Sequence, residues 1–154
     1  MINLEHIHPM LVHFPIVLLL LVVLIDLIAL SRKGDLAATG CLATTGFYAL
    51  LLAALAAIAA ATFGDIALDK AVELGFDKAP LEEHEELGLT TLWILLGLAG
   101  WQLLARWRHM QLRGMTGWIF FAVALAASGV LLTTAWLGGE LVYTLGVNVA
   151  PVHP

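Results

Sequence analysis

Histidine is the residue through which this chain could do chemistry. Six histidines stand among 154 residues of which 61% are hydrophobic and 12% charged. A neutral imidazole is the commonest nitrogen ligand for transition metals and for haem iron. His13 lies among Val12, Phe14 and Pro15 at the start of an apolar run. A polar ring at that depth needs a partner, either a cofactor or a loop carbonyl or water. Pro15 withholds a backbone donor and bends the helix nearby. His84 follows Pro80 by about one turn and shares a helical face with Leu81, Gly88, Thr91 and Leu95. Gly88 removes bulk along that face, so a flat group at His84 could lie against it. The competing reading is a solvated histidine between Glu83 and Glu85. His8 and His13 are separated by about 140° on a regular helix, so they do not act as joint ligands from one face. His8 hangs from the helix cap, where it could serve a second centre or hydrogen-bond to whatever His13 holds. His6 and His153 belong to the tails, and His109 stands apart among arginines.

The other polar residues say less. Asp26 falls inside an apolar run, where a carboxylate is costly; pairing with Arg106 or a loop cation is the plain expectation, a proton relay the alternative. Asp65, Asp69 and Glu73 line one face of a surface helix, either solvated or facing a basic partner. A single cysteine, Cys41, rules out an intrachain disulfide and a cysteine-rich metal cluster. No glycine-rich phosphate loop, nucleophile–base pair or zinc-protease spacing occurs.

These residues must be positioned by helices in lipid. Mean hydropathy is +0.95, and so short a chain cannot hide that much apolar surface from water. Four apolar stretches each approach the length of a spanning helix, at about residues 9–30, 36–63, 82–106 and 115–138. The last is expected to stop at Gly138-Gly139. Arg32 and Lys33 lie between the first two stretches, and Arg106, Arg108 and Arg113 between the last two. The stretch from about Gly64 to Glu86, with an outer loop at about 64–81, carries eight of the 12 carboxylates. The positive-inside rule puts the basic loops in the cytoplasm and both termini outside. Five histidines, His6, His8, His13, His84 and His153, then share the outer end. The first stretch has no basic n-region and reads as a retained helix, not a signal peptide. Gly46, Ala49, Ala53, Ala57, Ala60 and Gly64 form a stripe of small residues that admits close helix packing. The expected fold is therefore all-α, a single four-helix transmembrane bundle. Net charge of −5 argues against a nucleic-acid partner.

The run His8-Pro9-Met10-Leu11-Val12-His13-Phe14-Pro15 resembles the opening signature of a family of small four-span bacterial membrane proteins of unknown function. Gly64-Asp65, His84 and the ending Gly138-Gly139-Glu140-Leu141-Val142-Tyr143 extend the resemblance over the whole chain. In that family the domain is sometimes joined to Rieske or cytochrome c modules, which implies an electron-transfer setting in a bacterial inner membrane. The resemblance puts forward His8, His13 and His84. Relatives often carry a histidine shortly after the Val-Tyr pair, where this chain reads Tyr143-Thr144-Leu145-Gly146.

The leading expectation is a membrane b-type cytochrome with haem b near the outer face. His13 and His84 are its axial ligands, and His8 serves a possible second site, leaving one haem or two. Six-coordinate iron has no open position, so electron transfer between a quinol pool and an outer redox protein is expected, not catalysis. The alternatives are a membrane protein that binds zinc, copper or iron directly through the same histidines, and a structural subunit without cofactor. Lipid is the certain surrounding, and a homo-oligomer is compatible with the sequence.

Overall fold

The computed structural model describes residues 7–149. Its helices are α1 (Ile7–Leu11), α2 (His13–Ser31), α3 (Cys41–Glu73), α4 (Lys78–Trp107) and α5 (Gly114–Tyr143), with no strands among the described residues. α1 and α2 together make one span, so four stretches are long and apolar enough to cross a membrane: Ile7–Ser31, Cys41–Glu73, Lys78–Trp107 and Gly114–Tyr143. The all-helical, four-span expectation holds.

The break between α1 and α2 at Val12 follows from Pro15, which has no N–H to give to the Leu11 carbonyl and whose ring crowds it. Val12 itself keeps helical dihedrals, φ −59° and ψ −23°, so the ladder is interrupted and the chain direction is largely kept. Two elements run longer than the hydropathy suggests. α3 continues through Gly64, Asp65 and Asp69 to Glu73, so most of the expected acidic loop is helix, carrying a surface Lys70–Glu73 ion pair at 2.9 Å. α5 does not stop at Gly138-Gly139 but runs to Tyr143.

The four spans form a closed ring in which α2 packs on α3, α3 on α4, α4 on α5, and α5 returns to α2, while among the described residues the diagonal spans meet through side chains and not backbone to backbone. The stripe Ala49, Ala53, Ala57 and Ala60 is buried, and it meets Leu19, Leu95, Ala124 and Ala127, all 0% exposed, in the middle of the bundle. Leucines and valines such as Val17, Leu24, Leu52, Leu55, Leu103 and Leu125 point outward, as lipid-facing side chains do. Trp107 and Trp136 are exposed toward opposite ends, where indoles suit a membrane interface.

The ring is built from two equivalent hairpins, α1–α2–α3 and α4–α5. One constant shift in numbering carries the end of α2 onto the end of α4. Arg32 (φ −90°, ψ 14°) becomes Arg108 (φ −88°, ψ 6°), and Lys33 (φ 56°) becomes His109 (φ 52°). Both ends close with the same left-handed cap, Gly34 N–H to the Ala29 carbonyl and Met110 N–H to the Ala105 carbonyl, each at 2.8 Å. The same shift carries His8 onto His84, Asp26 onto Gln102 and Leu36 onto Leu112. Both hairpins start at the same end, so the repeat is parallel, related by an approximate twofold axis along the bundle.

The two hairpin turns lock against each other at what we call the arginine end. Leu36 N–H donates to the Leu112 carbonyl at 3.0 Å. Asp35 Oδ1 accepts from Leu112 N–H at 2.8 Å and from Ala37 N–H at 2.9 Å. Gln102 Nε2 donates to the Leu36 carbonyl at 2.8 Å. Arg106 does not pair with Asp26: its Nη2 donates to the carbonyls of Ala38 and Ala43 at 2.9 and 2.8 Å, and its guanidinium lies 4.4 Å over Phe47. The carbonyls before and within the first turn of α3 capture this cation, and the ion pair expected from charge alone is absent among the described residues.

Candidate functional site

At the opposite end, the histidine end, the bundle opens. His8 comes from α1 and is carried over α3 by the break at Val12. Its Nδ1 lies 2.7 Å from the Ala60 carbonyl. A carbonyl can only accept, so Nδ1 holds the hydrogen and Nε2 keeps its lone pair in the neutral ring. His84, in the second turn of α4, does the same to α5: its Nδ1 is 3.0 Å from the Thr134 carbonyl. The two contacts are the same device used twice, reaching 52 and 50 residues along the chain.

Each device includes a glycine. Gly64 stands one turn beyond Ala60, and Gly138 one turn beyond Thr134. A side chain there would cover the carbonyl from the flank. A Cβ on Gly64 would come within 3.2 Å of the His8 ring, and one on Gly138 within 2.9 Å of His84 Cε1. Gly138 therefore admits a ring rather than ending a helix, which is why α5 continues past it.

The twofold relation brings the two rings together. Their centroids are 6.0 Å apart and their planes stand at 88°. Both line a cavity of about 370 Å³ that runs down the bundle past Ala57, Gly88, Thr91 and Leu131 and closes on the packed midsection. Its walls are mostly apolar, and Gly88 does lie on the cavity face, as the sequence suggested.

Of the three histidines singled out from the sequence, His8 and His84 face each other. His13 lines the same cavity, but it is exposed and makes no hydrogen bond among the described residues. The ring opposite His84 is that of His8 and not His13: the two residues stand about 140° apart around the helix, and His8 is the one tied to the Ala60 carbonyl and set against His84. His6 and His153 lie outside the described residues. His109 is the left-handed cap of α4, remote from the cavity. Sequence reasoning missed Ala60, Thr134, Gly64 and Gly138 as partners of the histidines; the available signal was a glycine on the following helix at a similar, though not equal, distance from each histidine.

Each ring is held by a hydrogen bond between Nδ1 and a carbonyl, the kind of contact that fixes tautomer and ring orientation in histidines that ligate metals. Two metal–nitrogen bonds of about 2.0 Å each, together with half of each ring, span roughly 6 Å, which matches the observed separation. Among the described residues no group of three His, Cys, Asp or Glu side chains is placed to hold a metal ion.

No curated protein and no solved structure matches the sequence. A family model described as a predicted membrane protein matches residues 5–151, nearly the whole chain. The four apolar spans agree with that description, and the chain belongs to the DUF2231 family of predicted membrane proteins.

Proposed function

We propose that this protein is a membrane b-type cytochrome that holds one haem between His8 and His84 and passes electrons across its histidine end. The observation that carries the reading is the pair of opposed rings, 6.0 Å apart, each tied through Nδ1 to a backbone carbonyl. Haem iron takes four nitrogens from its macrocycle and needs only two from protein. A bare zinc site needs three or four protein ligands, so the two-histidine arrangement favours haem over a directly bound ion.

His8 and His84 are related by the bundle's twofold, so the line between them crosses the axis. A flat group held by both histidines would adjoin the apolar lining of the cavity, which includes Gly88, Thr91 and Leu131. The two histidines orient and hold the iron, and the apolar walls exclude water from one side. Such iron, when bound, supplies a one-electron couple with no open coordination position. His8 and His84 would hold the iron, and His13 lines the cavity beside them. The histidine end is the outer face by the distribution of arginine and lysine. A membrane quinol and an outer-face redox protein are the proposed electron partners.

The test is haem stoichiometry in detergent-purified protein made with ample haem supply. A pyridine haemochrome assay giving about one haem b per chain supports the proposal; protein that stays colourless under those conditions overturns it.

A further inference from the structure

The twofold also relates two polar residues at the arginine end, and they differ in what they can donate. Asp26 on α2 and Gln102 on α4 occupy equivalent positions, and they are 2% and 1% exposed. Each lies about five helical turns from its histidine, roughly 27 Å along the bundle. The packed layer of Leu19, Leu95, Ala124 and Ala127 intervenes, so this pair is separate from the histidine cavity.

Gln102 shows what the position is built to do. Its amide donates to the carbonyl of Leu36 in the opposite hairpin turn at 2.8 Å. The residue equivalent to Leu36 is Leu112, and its carbonyl stands where Asp26 would find the matching partner. That carbonyl takes one hydrogen bond, from Leu36 N–H at 3.0 Å, and has a second lone pair. Asp26 is one methylene shorter than glutamine, and its Oδ2 is buried without a partner. On the α3 side it faces Gly46, whose Cβ would sit 3.5 Å from Oδ1 and 3.2 Å from Ile25. Neither neighbour brings a charge. The nearby cation, Arg106, is held by the carbonyls of Ala38 and Ala43, and no ion pair to Asp26 forms among the described residues.

A carboxylate is acceptor-only, as is a carbonyl, so two such groups meet favourably only with a proton between them. We propose that Asp26 is a buried proton-binding site, donating through its carboxyl O–H toward the Leu112 carbonyl. The proton comes from solvent at the arginine end, and no other bond is made or broken. This inference is independent of haem.

The experiment is infrared difference spectroscopy of the full-length protein in detergent, wild type against Asp26→Asn, in H2O and D2O. A protonated-carboxyl C=O band that shifts down in D2O and is lost in Asp26→Asn is the expected result. A difference spectrum showing only carboxylate bands overturns the proposal. Asp26→Gln provides a second measurement that does not rely on the asparagine variant folding. Its amide can donate as Gln102 does, so its Tm should stay within about 2 °C of wild type or rise. A fall as large as that of Asp26→Leu would contradict a donor role at this position.

Discussion

His8 and His84 face each other across the bundle axis with ring centroids 6.0 Å apart and planes at 88°, and neither Nδ1 is free to turn toward the other ring. The arrangement fixes each ring from behind, through a carbonyl opened by a glycine, before anything is bound in front. Pre-set rings lower the ordering cost of binding.

The glycines behind the rings should be intolerant, and unequally so. Gly138→Ala puts a methyl 2.9 Å from His84 Cε1, and Gly64→Ala one 3.2 Å from His8. His84 cannot retreat without losing the Thr134 carbonyl. Gly138→Ala should destabilise the occupied site by about 1–3 kcal/mol, the usual range for overpacking, and Gly64→Ala by less. Haem content after purification, compared at equal expression, reads the order.

Arg106 should matter for stability and not for the histidine end. It donates to two carbonyls at 2.9 and 2.8 Å and lies over Phe47. Hydrogen bonds from a charged group contribute about 1.5–3 kcal/mol each. Arg106→Ala should therefore lower unfolding free energy by about 2–4 kcal/mol in a detergent–denaturant titration, while the spectrum of the protein that remains folded is unchanged.

The repeated helix caps offer a test of the twofold itself. Lys33 and His109 both hold left-handed backbone, φ 56° and 52°, at the position where glycine is favoured. Lys33→Gly and His109→Gly should each stabilise the bundle by about 0.5–1 kcal/mol by relieving that conformation. Similar gains in the two single variants are the expected thermal-shift result.

Much of this architecture was legible in the sequence, but the histidine pairing was only partly so. Four spans follow from apolar length, and the stripe from Ala49 to Ala60 is buried as its small residues imply. His8 and His84 were recognisable as ligand types, yet the partner of His84 depends on how the first span is rotated against α3 and α4. A regular helix would separate His8 from His13 without saying which of them faces α4. Gly138 was ambiguous because glycine both ends helices and admits close neighbours; only the position of His84 decides between the two. The twofold is only partly written in residue identity. His8 answers to His84, Arg32 to Arg108 and Leu36 to Leu112, but Asp26 answers to Gln102 and Ala60 to Thr134, and the hairpins share backbone geometry and hydrogen-bond pattern beyond that. Residue type alone would pair Asp26 with Arg106, but the carbonyls of Ala38 and Ala43 are where the guanidinium goes.

The most direct measurement is the dithionite-reduced minus oxidised absorption spectrum of wild type beside His8→Ala, His84→Ala and His13→Ala, each purified with ample haem. The expected result is sharp α, β and Soret bands in wild type and in His13→Ala, lost or converted to a high-spin form in His8→Ala and His84→Ala alike. Bands that survive in His8→Ala but vanish in His13→Ala would contradict the pairing across the axis, and no bands in any of the four would contradict haem at this site.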